Sequence, residues 1–188
     1  MGDFNEVLTP GNVEEGFINV VNEIPCGSNH KIEWDREKKL FKLDRDEPIV
    51  FAKPTNYGFI PQTLDEDGDE LDVLLLTDKP LSTGVYLEAK IIGVMKFVDD
   101  GEVDDKIVAV PADDRNNGNS INSLEDVPSQ LIKQIEFHFN HYKDMKKPGT
   151  TKVESWGDID EAKSVVKDAI SRWNNRSEEH TSELQSQY

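Results

Sequence analysis

Two short stretches of this 188-residue chain concentrate its acids. Asp65-Glu66-Asp67-Gly68-Asp69-Glu70-Leu71-Asp72 holds six acids in eight residues, and Asp99-Asp100-Gly101-Glu102-Val103-Asp104-Asp105 holds five in seven. Carboxylates at this density repel one another and raise each other's pKa values. Bound cations relieve that repulsion, and clustered carboxylate oxygens suit hard ions such as Mg²⁺, Mn²⁺ or Ca²⁺. One acidic run alone is as readily a solvated loop. Two runs, each adjoining a β-rich segment, favour metal. Asp65, Asp67 and Asp69 begin like an EF-hand calcium loop, but Glu70 stands where the turn glycine belongs. Leu76, not Glu, occupies the twelfth position. An EF-hand is excluded, and a non-catalytic acidic calcium-binding module remains the alternative to an enzyme.

Cations and phenols would give such a site a second half. Lys31 and Glu33 are two apart in a strand-like segment and so share a face. Arg45 ends the next segment, Tyr57 lies in Asn56-Tyr57-Gly58-Phe59, Lys106 trails the second acidic run, and Tyr142-Lys143 closes a helical pattern. Taken singly, these are ordinary surface charges and core-edge aromatics. Converging on carboxylates that hold divalent metals, they would make a site for a polyanionic phosphate.

The elements that must bring them together read as strands first and helices late. Residues 17–24 are rich in β-branched side chains and are closed by Pro25 and Gly27. Residues 30–35 and 40–45 flank the polar turn Arg36-Glu37-Lys38-Lys39 and suggest a hairpin. Residues 49–52, 71–77, 85–97 and 106–110 are further strand candidates between Pro, Gly and Asp clusters. A first helix follows Pro128, with Leu131, Ile135, Phe139 and Tyr142 at steps of four and three. A second, over about 160–173, puts Ala162, Val165, Val166, Ala169, Ile170 and Trp173 on one face. Short strands followed by helices predict an α+β domain, a small barrel covered by helices.

The formal charge is −17, which argues against a nucleic-acid binder with a general phosphate-gripping surface, the OB-like binder included. No apolar run reaches the ~20 residues of a membrane span. The start, Met1-Gly2-Asp3-Phe4, shows no basic segment followed by an apolar stretch. The single Cys26 excludes an intramolecular disulfide and suits a reducing cytoplasm. Residues 177–188, SEEHTSELQSQY, have no periodicity and look like a translated sequencing adapter. They are expected to be a disordered, non-native tail on a single domain of residues 1–176.

Several segments together resemble the soluble family I inorganic pyrophosphatases of the prokaryotic type. They are Glu23-Ile24-Pro25, Lys31-Ile32-Glu33, Pro54-Thr55-Asn56-Tyr57-Gly58-Phe59-Ile60-Pro61, Asp67-Gly68-Asp69-Glu70-Leu71-Asp72-Val73-Leu74, Gly93-Val94-Met95-Lys96 and His141-Tyr142-Lys143-Asp144. The resemblance implies Mg²⁺-dependent hydrolysis of inorganic diphosphate, with several ions per site and Mn²⁺ as a possible substitute. It assigns the first metals to Asp67, Asp72 and Asp104, with Asp72 bridging two. Asp99 joins when further metal arrives, and Glu23 and Glu33 act directly or through water. Asp69 becomes the general base, and Lys31, Arg45, Tyr57, Lys106, Tyr142 and Lys143 hold the phosphates. The implied fold is a five-stranded OB-like β-barrel with additional strands and two C-terminal flanking helices, in a homo-oligomer, a hexamer by the same resemblance. Lys53 departs from the pattern, standing where the family usually has an aromatic residue. Asp100, Thr150-Thr151 and Ser155 depart as well.

Overall fold

The computed structural model describes residues 3–116 and 119–185, with side-chain surroundings given through Arg176. A short helix, α1 (Phe4–Val7), precedes strands β1 (Phe17–Ile24), β2 (His30–Asp35) and β3 (Leu40–Asp46). Strands β4 (Asn56–Phe59), β5 (Asp72–Leu75), β6 (Tyr86–Asp99), β7 (Glu102–Val103) and β8 (Lys106–Pro111) follow. Helix α2 (Ser129–His141), strand β9 (Thr151–Gly157) and helix α3 (Ile159–Gln185) complete the order.

The seven-stranded sheet contains a ring. β1 pairs with β4, β4 with β5, β5 with β8, β8 with β6, and β6 returns to β1. Among the described residues, only β5 and β8 run parallel. The first half of β1 meets β6, while Val21, Asn22 and Ile24 meet β4. The ring is thus assembled from half-strands, and the barrel expectation is met as a five-stranded ring rather than an evenly closed barrel. β6 can serve β1, β8, β9 and β7 because it is 14 residues long, and its pairing with β8 shifts register between Ile91 and Gly93. The β2–β3 hairpin is a separate two-stranded sheet.

Inward residues of the ring make the core. Ile18, Val20, Leu71, Val73, Leu75, Ile91, Ile107 and Ala109 are essentially inaccessible and pack with Ala162, Val166 and Ala169 of α3. Small residues on that helix face let it lie close to the ring. On the other side, Leu74, Ile92, Met95, Phe97 and Val108 pack with Ile135 and Phe139 of α2. The spacing of four that predicted α2 is therefore its buried stripe.

One local expectation needs correction, and two strands were not foreseen. Residues 49–52 are not a strand: Ile49–Phe51 form a 3₁₀ turn after Pro48, with Ile49 and Val50 open to solvent. Apolar β-branched residues without a sheet partner do not make a strand. Residues 56–59 are a strand despite Gly58, which would ordinarily weaken one. A Cβ on Gly58 would lie 2.1 Å from the Val21 carbonyl oxygen, so the glycine is what lets β1 approach. Residues 151–157 form β9, unforeseen because Lys152, Glu154 and Ser155 face solvent and blur the alternation.

The apolar pattern of the second helix ends near Trp173, yet α3 continues to Gln185. The side chains of 177–188, set apart above as foreign to the domain, and the last three residues altogether lie outside the described residues.

Candidate active site

The ring's strand ends converge on one side. Asp72 opens β5 and Lys106 opens β8, and the parallel register Val73 to Ile107 sets them side by side. Asp99 ends β6, and the turn through β7 returns Asp104 to the mouth just before β8. Tyr57 on β4 pairs with Leu74 on β5 and sends its hydroxyl to Asp72. The hairpin supplies Lys31 and Arg45, which are direct cross-strand partners, and Glu33 beside them. Glu23 joins hairpin to ring, its carboxylate accepting the Trp34 backbone N–H at 2.6 Å.

These groups face a single cleft of about 220 Å³. Of the thirteen side chains singled out in the sequence, twelve line it, and Lys143 alone does not. Lys143 instead grips Asp99 from behind, with Nζ 2.5 and 2.6 Å from its two oxygens, while Tyr142 donates to the same carboxylate at 3.1 Å. Both arrive on the C-terminal end of α2.

The loop between β4 and β5 presents Asp67 and Asp69. Gly68 takes φ +93°, a left-handed conformation that costs glycine little. The Asp65 N–H donates to the Asp69 carbonyl at 2.7 Å and closes the turn. Helix α3 anchors it: the Leu64 N–H donates to the Ala169 carbonyl at 3.0 Å, and Arg172 donates to the Leu64 carbonyl at 2.8 Å.

Electrostatics of the cleft follow from crowding. Burial, opposed by Lys106 and reinforced by Asp72, pushes the Asp104 carboxyl up to about 7. Burial and Asp72 push Glu23 well above the carboxylate range. Burial and the charges of Asp67, Glu70 and Asp72 raise Asp69. Burial would weaken the charge on Lys106, but Asp72 and Asp104, both hydrogen-bonded to it, hold its ammonium above the ordinary range. Burial and Asp72 raise the Tyr57 phenol, so it stays a donor.

Among the described residues, no group of three His, Cys, Asp or Glu side chains stands close enough together to hold an ion. The reason is visible in the ion pairs: Lys106 lies between Asp72 and Asp104, Lys143 holds Asp99, and Lys31 holds Glu33 at 2.5 Å. The donor set nevertheless suits a hard divalent cation. It offers nine carboxylates on one cleft, with Glu23, Asp69 and Asp104 held above their ordinary pKa by burial and mutual repulsion that a cation would relieve.

Sequence reasoning gave no role to Glu47, Lys53 and Glu70, which also line the cleft. Glu47 tethers Arg45 at 2.5 Å. Glu70 is buried and pairs with Arg36 at 2.8 Å and Asn5 at 2.7 Å. Its place inside the acidic run, beside the cleft acids, gave no signal of that structural task.

Comparison with known proteins agrees with this geometry. Residues 20–174 match the family model described as inorganic pyrophosphatase. A protein of Neisseria meningitidis serogroup B named inorganic pyrophosphatase is 76% identical over 174 residues, 93% of this chain and 98% of that one. One of Haemophilus influenzae, with the same name, is 73% identical over 176 residues, 94% of this chain and 100% of that one. The crystal structure of an inorganic pyrophosphatase from Neisseria gonorrhoeae superposes with a TM-score of 0.91 at 76% identity, covering 92% of this chain and 99% of that one. That from Thermus thermophilus gives 0.82 at 36% identity, covering 89% and 97%. With carboxylates, amines and phenols gathered in one cleft, and with relatives this similar along nearly all of its length, the chain belongs to the inorganic pyrophosphatase family.

Proposed function

We propose that the chain hydrolyses inorganic diphosphate to two orthophosphates in this cleft. The observation behind the proposal is convergence: carboxylates able to hold cations share one cleft with amines and phenols able to hold phosphate. A calcium-binding module would have no use for the second set.

The family is metal-dependent, and Mg²⁺ is the proposed ion, with Mn²⁺ a possible substitute. Asp67, Asp72 and Asp104 would hold the first ions, with Asp99, Glu23 and Glu33 available to further ones. Once bound, the ions would lower the pKa of the attacking water and reverse the sign of an otherwise repulsive cleft.

This chain's own residues supply the rest. Asp69 projects from the loop with a raised pKa, which suits a carboxylate that must accept a proton near neutral pH. Lys31 and Arg45, cross-strand neighbours on the hairpin, hold one end of the anion. Lys106, Tyr57 and Tyr142 hold the other and meet the charge that develops as the bridging oxygen leaves; Lys143, set behind Asp99 outside the cleft lining, would join them by releasing that carboxylate. Lys31 and Lys106 are now paired with Glu33, Asp72 and Asp104, carboxylates that would hold the ions, so both amines would be free to face phosphate once those carboxylates are so engaged.

A homo-oligomer, a hexamer by resemblance, and a cytoplasmic location belong to the same reading. The exposed apolar side chains Ile49, Val50, Phe137 and Met145 support the first. No helix among the described residues is long and apolar enough to cross a membrane. A domain of residues 1–176 is proposed too; the 176 residues aligned with the Haemophilus relative span that relative entirely.

Phosphate release from diphosphate tests the reading. Wild type should turn over with Mg²⁺, and Asp69→Asn should lose about 10²–10⁴-fold in kcat. Equal rates would remove Asp69 from the base role. No release by wild type with Mg²⁺ or Mn²⁺ would overturn the activity itself.

A further inference from the structure

Four cationic side chains longer than histidine line the cleft: Lys31, Arg45, Lys53 and Lys106. Three have carboxylate partners: Glu33 for Lys31, Asp44 and Glu47 for Arg45, and Asp72 and Asp104 for Lys106. Among the described residues, Lys53 has none. Its Nζ stands 4.6 Å from the Tyr57 ring centroid, 5.3 Å from Phe139 and 5.4 Å from Tyr142.

The backbone fixes that position. The Lys53 N–H donates to the Ser28 carbonyl, and its carbonyl accepts the Gly27 N–H, both at 2.9 Å. Pro54 follows and holds the preceding residue extended. The amine is therefore delivered from a pinned turn rather than a loose loop. Ring faces attract a cation but give it no hydrogen-bond acceptor of carboxylate strength. Burial and the neighbouring charges of Lys106 and Lys31 push this amine down to about 8. An ammonium near Asp72 and Glu47 but in ion-pair contact with no carboxylate among the described residues, and beside other cations, is matched by an anion that enters from outside.

We propose that Lys53 is a further substrate-binding residue, its ammonium taking a phosphate oxygen against the wall formed by Tyr57, Phe139 and Tyr142. The inference rests on reading the cleft as a diphosphate site and goes beyond that reading by adding an amine at a position where the resemblance led to an aromatic residue. Lys53 differs from Lys106 in having no ion pair to break. Its contact forms on binding and persists through the reaction, so it acts on affinity more than on turnover.

Lys53→Met keeps the stem and removes the charge; Lys53→Arg keeps a cation. Calorimetric titration with imidodiphosphate and with inorganic phosphate at fixed Mg²⁺ reads binding, and diphosphate kinetics read KM and kcat. Lys53→Met should weaken imidodiphosphate binding and raise KM by about tenfold, leave kcat within about twofold, and leave the melting temperature unchanged or higher. Lys53→Arg should recover most of the lost affinity. Unchanged affinity in Lys53→Met, or a fall in kcat and melting temperature at constant affinity, would make Lys53 a wall residue and overturn the proposal. Wild type failing both to bind imidodiphosphate and to release phosphate would overturn the diphosphate reading itself, a distinct result.

Discussion

The two acidic runs are alike in composition and unlike in how their charges are met. In the second, each aspartate has a lysine: Lys143 for Asp99, Lys143 and Lys147 for Asp100, Lys106 for Asp104, and Lys96 for Asp105. In the first, Asp65 and Glu70 are tied back to Arg172 and Arg36, and Asp72 shares Lys106. Asp67 and Asp69, on the loop that lines the cleft, have no ion pair among the described residues. The contrast separates two jobs that look identical in sequence. Asp65, Glu70, Asp100 and Asp105, tied to Arg172, Arg36, Lys147 and Lys96, hold the loops in shape. Asp67, Asp69, Asp72, Asp99 and Asp104 line the cleft, where a metal or a proton can reach them even when Lys106 or Lys143 also holds them.

The sharpest break between these jobs sets Asp67 against Glu70. Asp67→Asn removes a cleft charge but keeps an amide oxygen for the Asp69 N–H that Asp67 Oδ1 accepts at 3.0 Å. It should cut activity by about 10²-fold or more and demand more Mg²⁺ for half-saturation, with the melting temperature kept. Glu70→Gln leaves the half-buried Arg36 Nε short of its charge partner. It should cost about 1.5–3 kcal/mol of stability with Mg²⁺ requirement unchanged. Denaturant melts and Mg²⁺ titrations of both variants decide it. Loss of stability in Asp67→Asn with normal metal dependence would erase the distinction.

The cleft as a whole should respond to pH and metal together. Asp104, raised to about 7, and Asp65, raised to about 6, bind protons more tightly folded than unfolded. Glu23 and Asp69 shift the same way. For a raised carboxylate the unfolded chain ionises first. Without divalent metal, stability should therefore be greatest near the ordinary carboxylate value of 3.8 and fall as pH climbs through about 7. Exposed acids with lowered values, such as Asp35 and Asp126, act below that window and do not cancel it. Mg²⁺ binds the ionised carboxylates of the folded state alone and should remove the decline. Melting temperatures at pH 5 and pH 7.5, in chelator and in excess Mg²⁺, test this; curves that do not diverge would contradict it.

How far the sequence showed this depends on the scale of the question. β1 was legible because β-branched residues closed by Pro25 and Gly27 mark it, and the hairpin β2–β3 because the polar turn Arg36-Glu37-Lys38-Lys39 separates its strands. α2 was legible because its buried stripe repeats every three or four residues. Residues 49–52 misled because exposure, not composition, decides whether β-branched residues pair. β4 and β9 were hidden because partner strands dictate them, one through a glycine that admits a neighbour and the other through a half-exposed edge. Within the site, residue types pointed to the right cleft, since twelve of thirteen side chains line it. The division of labour inside each acidic run was not legible, because it depends on Arg36, Arg172 and Lys96, distant or unremarkable in sequence.

The smallest expected effect tests the comparison from its weak side. Asp100 belongs to the second run, adjoins Asp99 and pairs with Lys143 at 3.5 Å and Lys147 at 3.2 Å. By composition alone it is as good a cleft acid as its neighbour. It does not line the cleft, however, and its side chain is 42% exposed, where water screens both pairs. Asp100→Asn should leave the melting temperature, the Mg²⁺ requirement and kcat at wild-type values. Its one indirect route to the site is Lys143, which would lose its second carboxylate and grip Asp99 alone. A measurable rise in KM without change in kcat would show that this sharing matters, and that the line between loop acids and cleft acids runs through Lys143 rather than between Asp99 and Asp100.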